Sequence, residues 1–509
     1  MTLTVPTLTD RASGLLLHPT SLPGPHGSGD LGQEARRFAG FLFDAGQRWW
    51  QMLPVGPVGY GNSPYSALSA FAGSPLLLDL DALASRFGTS RAGPELPEGR
   101  VDYARAQAWR ADCLREAFHA HQQDATSDER EEYERYVAEN DAWLMDWALY
   151  ASLKQAHGQA PWIQWAPPLR DRDPDALDRA RREHASDIAF HHFLQWQFDR
   201  QWAALREHCE ALGVGLIGDV PIFVAHDSAD VWAHRELFLL KPDGHPSVVA
   251  GVPPDYFSAT GQRWGNPLYD WPRLATRGFD WWIERLRIGL RRFHALRLDH
   301  FIGFQRYWEI PADEPTAENG VWSPGPGGAL FDAVRAALGE LPLIAENLGV
   351  VTPEVEALRR RFGFPGLRIL QFAFGDDPNA ADFKPHNYDR ETVVYTGTHD
   401  NDTTVGWFSD RGGPDSVRTP EQTDAEREFA LAYLNSDGRE IHWDMIRAAQ
   451  ASVANLAVTP VQDVLGLGSE ARMNRPGRAE GNWEWRLRPG ALDDRVAARL
   501  AELARLYDR

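Results

Sequence analysis

The chain has 509 residues, 43% hydrophobic and 24% charged, an ordinary balance for a folded protein with a large core. Its formal net charge of -20, from 52 Lys and Arg against 72 Asp and Glu, opposes a nucleic-acid partner, because backbone phosphates repel such a surface. No apolar stretch reaches the length of a membrane span, so no membrane partner is expected, and Met1 to Gly14 lacks the basic and apolar regions of a signal peptide.

The first strand is expected at Gly14–His18, then a helix over Gln33–Ala45 and a second strand at Arg48–Pro54. A long interval precedes the third strand, Val214–Val220. Within it Tyr103–His119 and Asp128–His157 read as polar helices, with a Pro-rich linker near Pro167–Pro174. Residues 81–189 are therefore expected to form an inserted, mainly helical subdomain, followed by the barrel's own helix near Phe190–Leu212. Trp143, Trp147 and Tyr150 recur at helical spacing on one face and read as packing residues. Cys113 and Cys209 lie in helix-like segments without metal spacing, and read as reduced core thiols of a cytoplasmic protein. After the third strand, residues 225–278 are rich in Pro, Gly and aromatics. A loop of that length at the end of a strand is expected to be functional, here as an inserted active-site subdomain.

Strand and helix then alternate more tightly. A helix at Phe279–Arg292 leads to a strand at Ala295–Asp299, and a helix at Leu330–Leu338 to one at Leu341–Asn347. A helix at Pro353–Arg361 precedes strands at Leu367–Phe374 and Thr392–Thr398. A helix at Asp444–Ala454 precedes the last strand, Leu456–Val461. Gly466–Arg488 is irregular, and Ala491–Tyr507 reads as a capping helix. These strands are apolar throughout rather than alternating, as parallel strands covered on both faces are. Eight of them with intervening helices predict an α/β fold, one (β/α)8 TIM barrel over residues 1–509 carrying the two insertions.

Three of the apolar runs end in a carboxylate: Asp299, Glu346 and Asp400. The C-terminal ends of barrel strands form the face where such barrels hold their active sites. Cleavage of a glycosidic bond needs a proton donor at the leaving oxygen and a second carboxylate at the anomeric carbon. Asp299 is the candidate nucleophile, since Arg297, two positions earlier, points to the same side and favours the ionised acid. A structural Arg–Asp pair inside the barrel fits the same spacing. Glu346 follows a dry run that favours a protonated acid, and is the candidate general acid/base. The competing role, a helix cap, fits Thr352-Pro353-Glu354 better. Asp400, after His399, is the candidate for holding sugar hydroxyls. An Asx-rich turn explains Gly397-Thr398-His399-Asp400-Asn401-Asp402 equally well by itself. A metal reading of that cluster lacks an HxxxH-type partner. The chain has 20 Trp against 13 Tyr. Flat indole faces suit pyranose rings, although most of these residues read as packing.

At the level of motifs, the chain resembles the amylomaltases, the bacterial 4-α-glucanotransferases. The resemblance runs nearly end to end. It is carried by Leu17-His18-Pro19-Thr20-Ser21-Leu22-Pro23-Gly24, Gly59-Tyr60-Gly61-Asn62-Ser63-Pro64-Tyr65, Gly218-Asp219-Val220-Pro221-Ile222, Gly251-Val252-Pro253-Pro254-Asp255-Tyr256-Phe257-Ser258, Arg297-Leu298-Asp299-His300-Phe301, Ala345-Glu346-Asn347-Leu348-Gly349 and Thr398-His399-Asp400-Asn401. The resemblance implies that Asp299 is the nucleophile, Glu346 the acid/base and Asp400 the transition-state stabiliser. It implies that Arg297 and His399 line the central glucose subsite, and that Tyr60, Ser63 and Asp219 contact substrate near it. Gly251 to Trp264 would be a mobile loop over the acceptor groove, with Tyr256 and Trp264 stacking on or fencing the glucan. Many relatives carry Asp where this chain has Asn62 and Asn347, and Asn347 is expected to alter hydrogen bonding around Glu346.

The implied reaction moves α-1,4-glucan segments from a donor to the 4-hydroxyl of an acceptor glucan or glucose, by double displacement through a glucosyl–Asp299 intermediate. The expected partners are malto-oligosaccharides and α-1,4-glucans, with no obligatory protein partner. No cofactor or metal is expected: there is no GxGxxG after a strand, no P-loop and no EF-hand spacing. Two other readings remain open at this point, an α-amylase-like hydrolase with the same three acids and a non-catalytic glycan-binding barrel.

Overall fold

The computed structural model describes residues 4–88, 93–254, 260–413, 418–478 and 480–509. Among them the strands, in chain order, are β1 Ala12–Leu16, β2 Trp49–Gln51, β3 Gly215–Val220, β4 Val248–Val252, β5 Gln262–Pro267, β6 Ala295–Leu298, β7 Arg306–Pro311, β8 Val321–Pro324, β9 Leu343–Ala345, β10 Gly366–Ile369, β11 Thr392–Tyr395 and β12 Leu456–Pro460. Eight of them close into a parallel barrel, in the order β1-β12-β11-β10-β9-β6-β3-β2. These are the eight apolar runs read as strands. Seven are buried along their whole length, and in β10 Arg368 alone is half-buried. Alternate covering of the two faces explains why they carry no polar period.

Side-chain parity separates two apolar layers. Ala12, Leu16, Trp49, Ile217, Ala295, Ile344, Leu367, Val393, Tyr395 and Val458 fill one cluster, the barrel interior. Leu15, Trp50, Leu216, Leu296, Leu298 and Leu343 belong to the larger cluster between barrel and helices. Gly14 shares the interior parity and sits against the second strand. A Cβ there would lie 2.6 Å from the Cβ of Trp49, so the close approach of β1 and β2 requires glycine.

Between β2 and β3 the chain is helical: Leu80–Phe87, Tyr103–Asp124, Ser127–Glu139, Asp141–Ala156, Pro167–Arg170, Pro174–Glu183 and Ala185–Ala211. The stretch read as one helix over Asp128–His157 breaks at Asn140 (φ −110, ψ 8), whose side-chain amide donates to the Tyr136 carbonyl at 2.8 Å. Such local amide bonds favour chain reversal over helix continuation. The first of the two helices has its own start signal, a capping box between Thr126 and Glu129. Trp143, Trp147 and Tyr150 are buried in the second. Cys209 is buried and Cys113 half-buried.

A second sheet was not visible as a sheet in the sequence. The antiparallel order β5-β4-β7-β8 joins the segment after β3 to the segment after β6. Its strands are short and β5 begins with exposed residues, Gln262, Arg263 and Trp264, so neither apolar run nor clean alternation marks them. No helix among the described residues is long and apolar enough to cross a membrane.

Candidate active site

The site forms where three neighbouring strands end. β3, β6 and β9 are adjacent in the barrel, and Asp219 of β3 pairs in register with Arg297 of β6. Asp219, Arg297 and Asp299 share the inward parity of Ile217 and Ala295, and Glu346 shares that of Ile344. The register therefore gathers three acids around one guanidinium. Nη1 of Arg297 donates to Oδ2 of Asp219 at 2.5 Å. Nη2 lies 3.2 Å from Oδ1 of Asp299 and 2.7 Å from Oε1 of Glu346. The Arg297 side chain is 2% exposed, so these are charge-assisted bonds in a dry setting.

One guanidinium for three carboxylates does not neutralise them. Burial pushes the Asp299 carboxyl well above its ordinary range, the Glu346 charge beside it pushes in the same direction, and Arg297 opposes both. Asp219 is also pushed up by burial against the opposing pull of Arg297. The expectation of an ionised Asp299 assumed that Arg297 served that acid alone. In the free site burial and the neighbouring Glu346 charge instead favour the neutral form of Asp299.

Glu346 is fixed from a second side, its Oε2 accepting from the His300 backbone N–H at 2.6 Å. Asn347 turns away from it. Its amide donates to Glu356 at 2.6 Å and its oxygen accepts from the Leu367 N–H at 2.8 Å. The expected influence of Asn347 on hydrogen bonding around Glu346 is therefore corrected: this side chain ties β9 to β10 and to the helix Pro353–Phe362.

Asp400 stands on the same rim, after β11. The polar turn there is closed by Asn401, whose Oδ1 accepts from the Thr398 N–H at 2.9 Å. Asp400 is 3.4 Å from His399 Nε2. His399 is 6% exposed and stacks on Tyr65 at 5.0 Å and 12°. The Tyr65 hydroxyl donates to Asp219 Oδ2 at 2.7 Å. Tyr65 thus bridges the two halves of the site, yet sequence reasoning quoted it in a motif without assigning it a place. Asn474 was missed altogether. Its amide donates to Asp400 Oδ1 at 2.6 Å, and Arg472 donates to the Asp400 carbonyl at 2.7 Å. Both lie in the irregular stretch after β12, where no periodic signal exists.

The remaining candidates lie farther out. Tyr60 is 83% exposed, on a turn where Gly61 and Asn62 take positive φ of 65° and 56°. Asn and Asp both tolerate that conformation, so the Asn62 exchange is conformationally mild. The Ser63 hydroxyl accepts from the Tyr65 N–H at 3.2 Å, which seats Tyr65. Trp264 is 39% exposed and meets the His300 ring edge-on at 4.9 Å. Tyr256 lies outside the described residues. Among the described residues no group of three or more His, Cys, Asp or Glu is disposed to hold a metal ion.

The sequence profile of the 4-alpha-glucanotransferases matches residues 17–493. The 4-alpha-glucanotransferase of Thermus thermophilus is 54% identical over 98% of this chain and 99% of its own length. The chain belongs to the 4-alpha-glucanotransferase family. As a member it is a 4-alpha-glucanotransferase, an amylomaltase-type enzyme acting on α-1,4-glucans. The Synechocystis 4-alpha-glucanotransferase is 46% identical over 99% of each chain. Among solved structures, the amylomaltase from Streptococcus agalactiae in complex with acarbose superposes with a TM-score of 0.92 at 36% identity, covering 98% of this chain and 99% of that one. The 4-alpha-glucanotransferase barrel is the α/β fold that the strand pattern predicts.

Proposed function

We propose that this glucanotransferase works by double displacement with retention, Asp299 as nucleophile and Glu346 as acid/base. One observation carries the reading. A single nitrogen of Arg297 lies 3.2 Å from an oxygen of Asp299 and 2.7 Å from an oxygen of Glu346, a shared partner that suits the close spacing of roughly 5–5.5 Å in retaining enzymes better than the roughly 6.5–9.5 Å of inverting ones. Glu346, as the acid, passes a proton to the glycosidic oxygen as Asp299 attacks the anomeric carbon. The glucan stays bound to Asp299. The 4-hydroxyl of an acceptor then gives its proton to Glu346 and displaces Asp299. Asp400, held by Asn474 and near His399, steadies the sugar hydroxyls in the transition state, and Arg297 keeps both acids aligned.

The donors and acceptors are malto-oligosaccharides, a reading supported by the acarbose carried by the Streptococcus agalactiae amylomaltase. Tyr60, Ser63, Asp219, Tyr256 and Trp264 contact the glucan, with Trp264 fencing the acceptor side against water. A chain with two cysteines and no CxxC or metal spacing suits a reducing compartment, and the cytoplasm is the proposed location.

Maltotriose is the test substrate. Transfer gives glucose and longer chains with a nearly constant number of reducing ends, whereas a hydrolase with the same acids raises that number. Asp299→Asn should abolish turnover. A fully active Asp299→Asn enzyme would remove the proposed nucleophile.

A further inference from the structure

Trp483, in the irregular stretch after β12, takes a positive φ of 66°. For a bulky aromatic that conformation is an outlier, held only where the surroundings over-determine it and mostly at functional sites. Here both backbone groups are pinned. The Trp483 N–H donates to the Met473 carbonyl at 2.7 Å, and the Trp483 carbonyl accepts from the Tyr103 hydroxyl at 2.9 Å. Tyr103 is buried and opens the helix Tyr103–Asp124 of the insertion between β2 and β3. The Val101 N–H donates to the next carbonyl, that of Glu484, at 2.7 Å. The start of this helix therefore grips Trp483 and Glu484.

The indole packs against two rings of the site. It lies 5.8 Å from Tyr65 at 42° and 5.9 Å from His399 at 39°, while those two rings stack on each other at 5.0 Å and 12°. Ring centroids at such separations attract. Trp483 is 5% exposed, so it supports its neighbours rather than offering a face to a glucan. Tyr65 reaches Asp219 through its hydroxyl, and His399 stands 3.4 Å from Asp400. One indole thus backs both halves of the acid set.

We propose that Trp483 is a positioning residue for the bond-breaking step. The helical insertion, through Tyr103, wedges the indole against Tyr65 and His399 and holds these rings in the alignment that the sugar under attack requires. The proposal rests on the reading of His399 and Asp400 as the residues that hold that sugar. Maltotriose spreads its binding over several glucose units, but only the unit attacked by Asp299 changes shape. Loss of the wedge therefore weakens the transition state more than the ground state, and registers in kcat rather than KM.

Trp483→Gly keeps the left-handed backbone and deletes the indole, and Trp483→Asn tolerates the same conformation if the Gly variant does not fold. Trp483→Phe restores a smaller ring, and Tyr103→Phe removes only the hydroxyl. The readout is kcat and KM for maltotriose, measured below each variant's melting temperature with the fold checked by circular dichroism. Trp483→Gly is expected to lose roughly tenfold in kcat, short of the ~100-fold that a 1 Å misplacement costs, with KM little changed. Trp483→Phe is expected to regain most of that loss and Tyr103→Phe to show a smaller one. The double variant Tyr103→Phe/Trp483→Gly is expected to be no slower than Trp483→Gly, because the hydroxyl acts only through the indole. A parental kcat in the folded Trp483→Gly or Trp483→Asn enzyme, or a change confined to KM, overturns the wedge. Multiplied losses in the double variant overturn the link to the insertion. His399→Asn separates the two readings. If its kcat falls while the Trp483 variants keep the parental kcat, the wedge alone is overturned; if its kcat is parental, the reading of His399 and the wedge fall together.

Discussion

Arg297 and Asp219 form a buried ion pair in register across β6 and β3, Nη1 to Oδ2 2.5 Å, and the other guanidinium nitrogen is left for Asp299 and Glu346. The pair is thus a foundation for the two acids above it. Asp219→Ala would leave Arg297 without its inner partner and deprive the Tyr65 hydroxyl of its acceptor. Loss of one partner of a buried pair costs about 3–5 kcal/mol, so the variant should melt well below the parent in calorimetry. A melting temperature within a degree of the parent would refute this role.

The two acids should separate by leaving group. General acid catalysis contributes about 10²–10⁴-fold, so Glu346→Gln should lose that much with maltotriose. With α-maltosyl fluoride, whose leaving group needs little protonation, Glu346→Gln should still form a covalent adduct detectable by mass spectrometry. Asp299→Asn should form none. Adduct formation by Asp299→Asn would reverse the assignment.

Asn474 donates to Asp400 at 2.6 Å while Arg472 holds the same residue's carbonyl. Asn474→Ala frees the Asp400 side chain. The expected result is a fall in kcat of roughly tenfold, about 1.4 kcal/mol of transition-state stabilisation, with a smaller change in KM. A change confined to KM would indicate that Asn474 serves binding alone.

Asn347 is 3% exposed and spans Glu356 and the Leu367 N–H. Asn347→Ala leaves buried groups unsatisfied, at about 1–3 kcal/mol. Thermal stability should drop while kcat of the folded enzyme at low temperature stays near that of the parent, because the side chain faces away from Glu346. A large loss of kcat without loss of stability would contradict the geometry.

His191 is half-buried in the helical region between β2 and β3 with its Nε2 atom enclosed and unbonded, and desolvation pushes its imidazole down to about 3 from an ordinary 6.5. A group with a depressed folded value favours folding fully above its unfolded value. That contribution is lost as pH falls from about 6.5 toward 3, because the unfolded chain takes up the proton first. His191→Gln should therefore show a smaller fall in melting temperature between pH 7.5 and 5.0 than the parent. An equal or larger fall would exclude His191 as a source of acid sensitivity.

Much of this was legible in the sequence. Parallel strands covered on both sides read as unbroken apolar runs, and all eight barrel strands could be marked because that burial is written locally. The alternation of side chains along a strand also carried Arg297 and Asp299 to the same side. The antiparallel sheet was not legible, since its strands are short and partly exposed. Tyr65 and Asn474 were missed as site residues because their partners, Asp219 and Asp400, lie far away in the chain and no local period points at them.

The sequence by itself determined a parallel barrel whose carboxylates end its strands, because hydrophobic periodicity and strand parity are properties of neighbouring residues. The tertiary structure alone decided how those groups meet. Barrel register sets Asp219 opposite Arg297 and divides one guanidinium among three acids, while burial first and the Glu346 charge second raise the Asp299 carboxyl against the pull of Arg297. The left-handed turn at His300 and its contact with Trp264 were likewise decided there. Such contacts depend on burial and on distances between segments far apart in the chain, and no local pattern encodes either quantity.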